Sequence, residues 1–172
     1  VTENRDAAME AFRELGGDVV VKPLFGSLGR GMTRLDDPDV AYRVFRALEM
    51  HHYVFYLQKF ISHDNRDIRA FVLGDRVLSA MERRGANWKT NIAQGAVGCP
   101  IELNDRQEQL ALKAAKAIGC PYAGVDLVHS GDGEEFVLEV NGVPGWQGLQ
   151  KVSDINIADE IVRFVLKGRE GR

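Results

Sequence analysis

The stretch 122–141, YAGVDLVHSGDGEEFVLEVN, constrains the fold more than any other part of the chain, because it sets a turn dipeptide between two β-rich arms. Asp132-Gly133 is a strong two-residue hairpin signal. With those residues as the loop, Gly131 faces Glu134, and counting outward sets Asp126 opposite Glu139. Asn141 falls on their face, two residues further along. The opposite face then pairs Leu127 with Leu138 and Val125 with Val140, an apolar set that turns toward a core. Facing Cβ atoms in such a pair lie roughly 5 Å apart, and like charges there repel. Two readings follow. Either a hard divalent cation, with Mg²⁺ the usual choice where phosphates add ligands, sits among two carboxylates and an amide oxygen, or the acids of an exposed hairpin face water.

Composition narrows the class of molecule around this hairpin. At 172 residues, the chain is long enough for one sizeable domain or two small lobes and buries roughly 70% of its unfolded surface. Net charge is −3, which disfavours a polyanion-binding surface, so no direct nucleic-acid partner is expected. No apolar run approaches the ~20 residues of a membrane span, and the opening VTENRDAAME lacks an apolar signal core. A cytoplasmic location is the expectation. Cys99 and Cys120 lack a CxxC spacing and read as free thiols, and His51-His52 closes a helix rather than holding zinc.

Along the chain, helical spacing of Ala8, Met9, Phe12 and Leu15 predicts a helix over 4–15, stopped by Gly16-Gly17. A short helix leading straight into a strand, without an initiating methionine, suggests an opening within a longer protein. Residues 18–22 read as a strand that Pro23 ends. The loop that follows carries Gly26, Gly29 and Gly31 around Ser27 and Arg30, and residues 32–35 resume as a strand. Glycines let backbone N–H groups approach an anion, and Lys22 and Arg30 add charge. The pattern is neither a P-loop nor a dinucleotide fingerprint, because no helix follows; it reads as a flap over phosphates.

Asp36-Asp37-Pro38 starts a helix with an apolar stripe of Val40, Val44, Phe45 and Leu48. Residues 54–61 read as a buried strand, and 67–73 and 76–83 as two more joined by Gly74-Asp75, with Asp67 and Arg69 on one outward face. Residues 86–98 have no clear periodicity: Lys89, Asn91 and Gln94 either grip carboxylates or phosphates, or belong to a solvated loop. Asp105 with Glu108 reads as a capping box for a helix over 105–118 that Gly119 ends. After the hairpin, GVPGWQGLQ reads as a loop, and Asn156 caps a last helix with Ile157, Ile161, Phe164 and Val165 on one side.

Taken in order, VVVKPLFGSLGRG, YLQKFI followed by DIR, ERRGANWKTN and GVDLVHSGDGEEFVLEVNGVPG resemble the ATP-grasp carboxylate–amine ligases, and among them the RimK-like glutamate ligases. The similarity covers nearly the whole chain. It implies an α+β ATP-grasp fold, two lobes over 1–60 and 61–172 clasping ATP, and a further N-terminal domain that this chain lacks. Matched residue by residue, Lys22 reaches nucleotide phosphates, and Gly26, Ser27, Gly29 and Gly31 belong to the phosphate-covering loop. Gln58, Lys59, Phe60 and Ile61 match the strand that meets adenine, and Asp67 a ribose-binding acid. Lys89 and Asn91, with Arg30, match the catalytic positions near phosphates and acyl substrate; lysine replaces an arginine at 89 and loses its planar fork. Asp126, Glu139 and Asn141 match the ligands of two Mg²⁺ ions, which Mn²⁺ can replace. The implied activity joins an amino acid, glutamate by resemblance, to a carboxylate of a protein tail, a pterin or deazaflavin cofactor or an amino-group carrier. A non-catalytic ATP-binding regulatory module is the rival reading, and a structural domain of the same fold a third.

Overall fold

The computed structural model describes residues 1–26 and 29–170, which fold as two compact units, Val1–Ile61 and Ser62–Arg172. The first unit contains α1 (Arg5–Glu14), β1 (Val19–Pro23), β2 (Thr33–Leu35), α2 (Pro38–Met50) and β3 (Phe55–Lys59). Asn4 caps α1 by accepting from the Ala7 N–H at 2.9 Å, and Asp37 caps α2 through the N–H groups of Asp39 and Val40. The strands form an antiparallel sheet in the order β2-β1-β3. Phe45 and Phe55 stack in the core between helices and sheet, with ring centroids 5.8 Å apart. Two expectations need correction here. Val40 is exposed and Ala41 takes its place beside Phe45 in the core, because the contact with α1 is a narrow stripe. The strand after α2 lies at the sheet edge, so only Phe55 in it is fully buried.

The second unit is built on an antiparallel sheet ordered β6-β5-β4-β7-β8. Its strands are β4 (Arg66–Leu73), β5 (Arg76–Arg84), β6 (Val97–Pro100), β7 (Tyr122–His129) and β8 (Glu135–Asn141). One face, with Ile68, Ala70, Val72, Ala123, Val125 and Leu127, packs under Ala111 and Ala115 of α3 (Asp105–Ala117). Small alanines on the helix let it approach the sheet closely. At one end the other face is apolar, where Phe71, Leu73 and Met81 meet Leu149 of α4 (Gln147–Gln150) and Ile157 of α5 (Ile157–Glu170). Beyond that end the same face carries charge. Among the described residues no helix is long and apolar enough to cross a membrane.

Three readings shift within this unit. The capping box of α3 is Asn104 with Gln107, one residue before the expected pair. The region expected as an aperiodic loop contains a short 3₁₀ turn, Ile92–Gln94, and strand β6, which pairs with β5. The last helix buries Ile157, while Phe164 and Val165 are exposed.

The hairpin turn also differs. The Gly133 N–H donates to the Ser130 carbonyl and the Ser130 N–H to that of Glu134, so the loop has three residues, 131–133, with Gly133 at φ 87°. That longer loop slips the register by one, pairing Leu127 with Val137 instead of Leu138. A bulge at Leu138 restores it, and Asp126 faces Glu139 with Asn141 opposite Gly124. The two irregularities cancel before the acidic pair is reached.

Candidate active site

Alternation along the strands gathers the charged residues of the second unit on one sheet face. β4 contributes Asp67 and Arg69, β5 contributes Arg83, β7 contributes Asp126, and β8 adds Glu139 and Asn141. Cross-strand register brings them together: Asp67 pairs with Arg83, Arg69 with Asp126, and Asp126 with Glu139. Asp67, Arg83 and Asp126 are only 4%, 3% and 5% exposed, so their charges must satisfy one another. The Arg83 Nε donates to Asp67 Oδ1 at 2.7 Å, its Nη2 to Asp67 Oδ2, and the same Nη2 stands 3.0 Å from Asp126 Oδ2. Arg69 Nε lies 3.0 Å from Asp126 Oδ1 but outside hydrogen-bond geometry, leaving that oxygen and Arg69 Nη1 without hydrogen-bond partners among the described residues.

The electrostatics follow from burial. Burial pushes the Asp67 carboxyl above its ordinary value, against the hydrogen bond and charge of Arg83 that favour ionisation. Burial also works against the Arg83 charge, but the adjacent Asp126 and Asp67 carboxylates outweigh it and hold the guanidinium protonated. Arg69 and Arg83 matter to the site as much as the acids, and neither stood out beforehand as a partner of Asp126. The signal available was the register of two arginines against two aspartates across β4, β5 and β7.

The hairpin bearing the acids is anchored from outside the sheet. Gln107 of α3 donates to Glu135 Oε1 at 3.0 Å, and Arg106 reaches Glu134 at 2.9 Å. Glu139 is exposed, whereas the Asn141 Oδ1 accepts from the Val143 N–H at 2.9 Å, which orients its amide. Two carboxylates and an oriented amide form an all-oxygen donor set that fits a hard cation such as Mg²⁺. The unsatisfied Asp126 Oδ1 has acceptor capacity to spare. Among the described residues no group of three or more His, Cys, Asp or Glu side chains is placed to hold a metal ion.

The loop with Lys89 and Asn91 reaches this network through Thr90, a buried residue close enough to Asp67 to favour its ionised form. Lys89 is half-buried, with Nζ 5.1 Å from the Trp88 ring, and Asn91 opens the 3₁₀ turn. Thr90 is the residue that the reading of this loop passed over.

In the first unit, Lys22 sits near the end of β1 opposite Tyr56, its Nζ 6.0 Å from that ring. A Cβ on Gly26 would stand 3.0 Å from the Pro23 ring and one on Gly31 3.2 Å from it, so both shoulders of the glycine loop close on the proline that ends the strand. Gly31 and Gly29 hold φ values of 75° and 72°. Arg30 is exposed, and Ser27 lies outside the described residues. Gln58 and Lys59 lie on β3 opposite Val20 and Val19, and the chain continues through half-buried Phe60 and Ile61. The Arg34 guanidinium covers the Phe60 ring at 3.8 Å and is held by two hydrogen bonds to Asp18, 2.8 and 2.7 Å long.

Comparison with known proteins agrees with this architecture. A family model described as the RimK-like ATP-grasp domain matches residues 2–165. The tetrahydromethanopterin:alpha-L-glutamate ligase of Methanocaldococcus jannaschii is 42% identical over 157 residues, a match covering 87% of this chain and 54% of that protein. The alpha-aminoadipate–LysW ligase LysX of Saccharolobus solfataricus is 36% identical over 156 residues, covering 88% of this chain and 57% of the relative. The chain thus spans about half the length of the curated relatives it matches. Among solved structures, the ATP-grasp ligase PsnB complexed with minimal precursor, Mg and ADP superimposes with a TM-score of 0.73 at 23% identity, covering 95% of this chain and 51% of that one. That likeness concerns the fold alone. The α+β fold is therefore ATP-grasp, and the chain belongs to the RimK-like ATP-grasp family.

Proposed function

We propose that this chain is the nucleotide-handling portion of an ATP-dependent carboxylate–amine ligase that adds glutamate to a carboxylate acceptor. What chiefly supports the reading is the register that sets Asp126 opposite Glu139 with Asn141 beyond, on a sheet face shared with Arg69 and Arg83. In this reading Asp126, Glu139 and Asn141 would hold two Mg²⁺ ions. Mg²⁺, when bound, offsets the charge that collects on the phosphate oxygens. Lys22, Arg30 and the glycine loop bind and cover phosphates, and the backbone of 58–61 takes the adenine; Asp67, buried with both oxygens on Arg83, orders the charged network instead of reaching the ribose. Lys89 and Asn91 orient the acceptor near the transferring phosphoryl.

The γ-phosphoryl passes to an acceptor carboxylate oxygen, releasing ADP; the amine nitrogen then forms the amide bond at that carbon as phosphate leaves. Positioning and charge stabilisation supply the acceleration, so no protein nucleophile is required. Glutamate as the amine is supported by relatives named as glutamate ligases, and a varied acceptor by relatives whose names include tetrahydromethanopterin and LysW. The first unit is the phosphate-loop lobe and the second the metal lobe, and a further domain of the whole protein completes the acceptor site. Intact metal ligands favour catalysis over a purely regulatory nucleotide site.

The test is ADP release by the whole protein against a panel of carboxylate acceptors with glutamate, followed by mass spectrometry for an added residue. Turnover that requires both acceptor and amine is the expected result. ATP hydrolysis indifferent to both would refute the ligase reading, and equal turnover by the 172-residue chain alone would refute the role of a further domain.

A further inference from the structure

We propose that Arg69 is the resident counter-cation of Asp126, and that a divalent metal replaces it on Oδ1 while Arg83 stays in place. The inference rests on the reading of Asp126 as a metal ligand. It begins from charge: a carboxylate as buried as Asp126 is not left alone, and here both of its oxygens face guanidinium groups.

The two arginines are held very differently. Arg83 donates twice to Asp67, and its remaining contact to Asp126 uses a nitrogen already committed to that pair. Losing it would strand Asp67, whose burial already works against its charge. Arg69 makes one approach to Asp126, at 3.0 Å and poorly aligned, and its Nη1 is buried without a hydrogen-bond partner among the described residues. Its departure breaks no aligned hydrogen bond to the acid and frees a nitrogen that has gained nothing from burial. Space enforces the arrangement. Gly124 lies beneath the Arg69 guanidinium, where a Cβ would be 2.6 Å from Nη1, so the absence of a side chain at 124 leaves the arginine its seat.

A metal with no resident cation to displace binds more tightly. The first experiment is a Mn²⁺ titration of the nucleotide-free chain followed by electron paramagnetic resonance, comparing wild type with Arg69→Gln, Arg69→Lys and Asp126→Asn. Arg69→Gln is expected to bind Mn²⁺ about tenfold more tightly, the equivalent of about 1.4 kcal/mol. Arg69→Lys, which keeps the charge, is expected to stay near wild type, a difference that general loosening of the site would not produce. The Arg69→Gln, Asp126→Asn double variant is expected to lose the gain.

The second experiment needs only wild type: the arginine Nε–H resonances are followed in a ¹⁵N-labelled sample during Mg²⁺ titration. The Arg69 signal is expected to move along the binding curve while that of Arg83 holds. Unchanged affinity in Arg69→Gln, or a static Arg69 resonance while Mg²⁺ binds, overturns the exchange and leaves the metal assignment standing. Wild-type Mn²⁺ affinity in Asp126→Asn overturns the metal assignment and the exchange with it.

Discussion

Gly124→Ala should be among the most damaging single-methyl additions in the chain. The residue lies on β7 between β4 and β8, opposite Phe71 on one side and Asn141 on the other. A Cβ there would fall 2.6 Å from Arg69 Nη1, 2.8 Å from Pro144 Cβ and 3.4 Å from Arg69 Cζ. The first contact could be relieved by moving a side chain, but Arg69 is mostly buried and engaged with Asp126. The second cannot yield as easily, because Pro144 is buried and its carbonyl accepts from the Tyr122 hydroxyl at 3.2 Å. Overpacking of this kind costs about 1–3 kcal/mol. At roughly 4 °C per kcal/mol for a unit of this size, the melting temperature should fall by about 4–12 °C. Gly131→Ala in the same hairpin meets no atom within 4 Å and is the matched control. Thermal melts followed by circular dichroism make the comparison. Gly124→Ala and Gly131→Ala melting together at the wild-type temperature would refute the claim that the Arg69 seat depends on a missing side chain.

The buried charge network makes a second demand: Arg83→Met should destabilise the second unit by about 3–5 kcal/mol in urea unfolding, because it strands Asp67 and half-strands Asp126. Arg83→Met, Asp67→Asn should recover part of that loss, and a purely additive result would show that the pair is not coupled. A third expectation concerns pH. Glu160 is held below its ordinary value of 4.5 chiefly by the Arg76 hydrogen bond, with Arg163 adding to it. A lowered carboxyl stabilises the fold above the unfolded value and loses that contribution as pH falls through the folded one. Wild type should therefore melt above Glu160→Gln at neutral pH and converge with it below about pH 4.5; a constant gap across that range would sink the assignment.

The parts of this molecule legible in the sequence were those set by short-range chemistry. Gly16-Gly17, Gly119 and the Asp37-Pro38 start mark helix ends through caps and turns that act within a few residues. The acidic pair was legible for a more accidental reason. A two-residue loop and a three-residue loop with a compensating bulge at Leu138 give Asp126 the same partner, although the pairing of Leu127 differs between them. Hydrophobic alternation could not report the bulge, because Leu138 is apolar in either register. The arginines were the harder case. Asp67 and Arg69 read as outward polar residues, yet Asp67 is buried, because Arg83 arrives from β5 to neutralise it and Thr90 arrives from the following loop. That depends on which strands become neighbours, and local spacing carries no record of it. Strand β6 was missed because Val97-Gly98-Cys99-Pro100 is short and contains two residues that strands normally avoid.

The central claim, that this sheet face holds ATP through a metal on Asp126, Glu139 and Asn141, is tested most directly by calorimetry with ADP in the presence and absence of Mg²⁺ on wild type and Glu139→Gln. Glu139 is exposed and lies outside the buried ion pairs, so its substitution removes a ligand charge without disturbing the core. Saturable ADP binding that strengthens with Mg²⁺ in wild type, and loses about tenfold of that strengthening in Glu139→Gln, is the predicted result. Equal Mg²⁺ enhancement in both proteins, or ADP binding by wild type that ignores Mg²⁺, would contradict it.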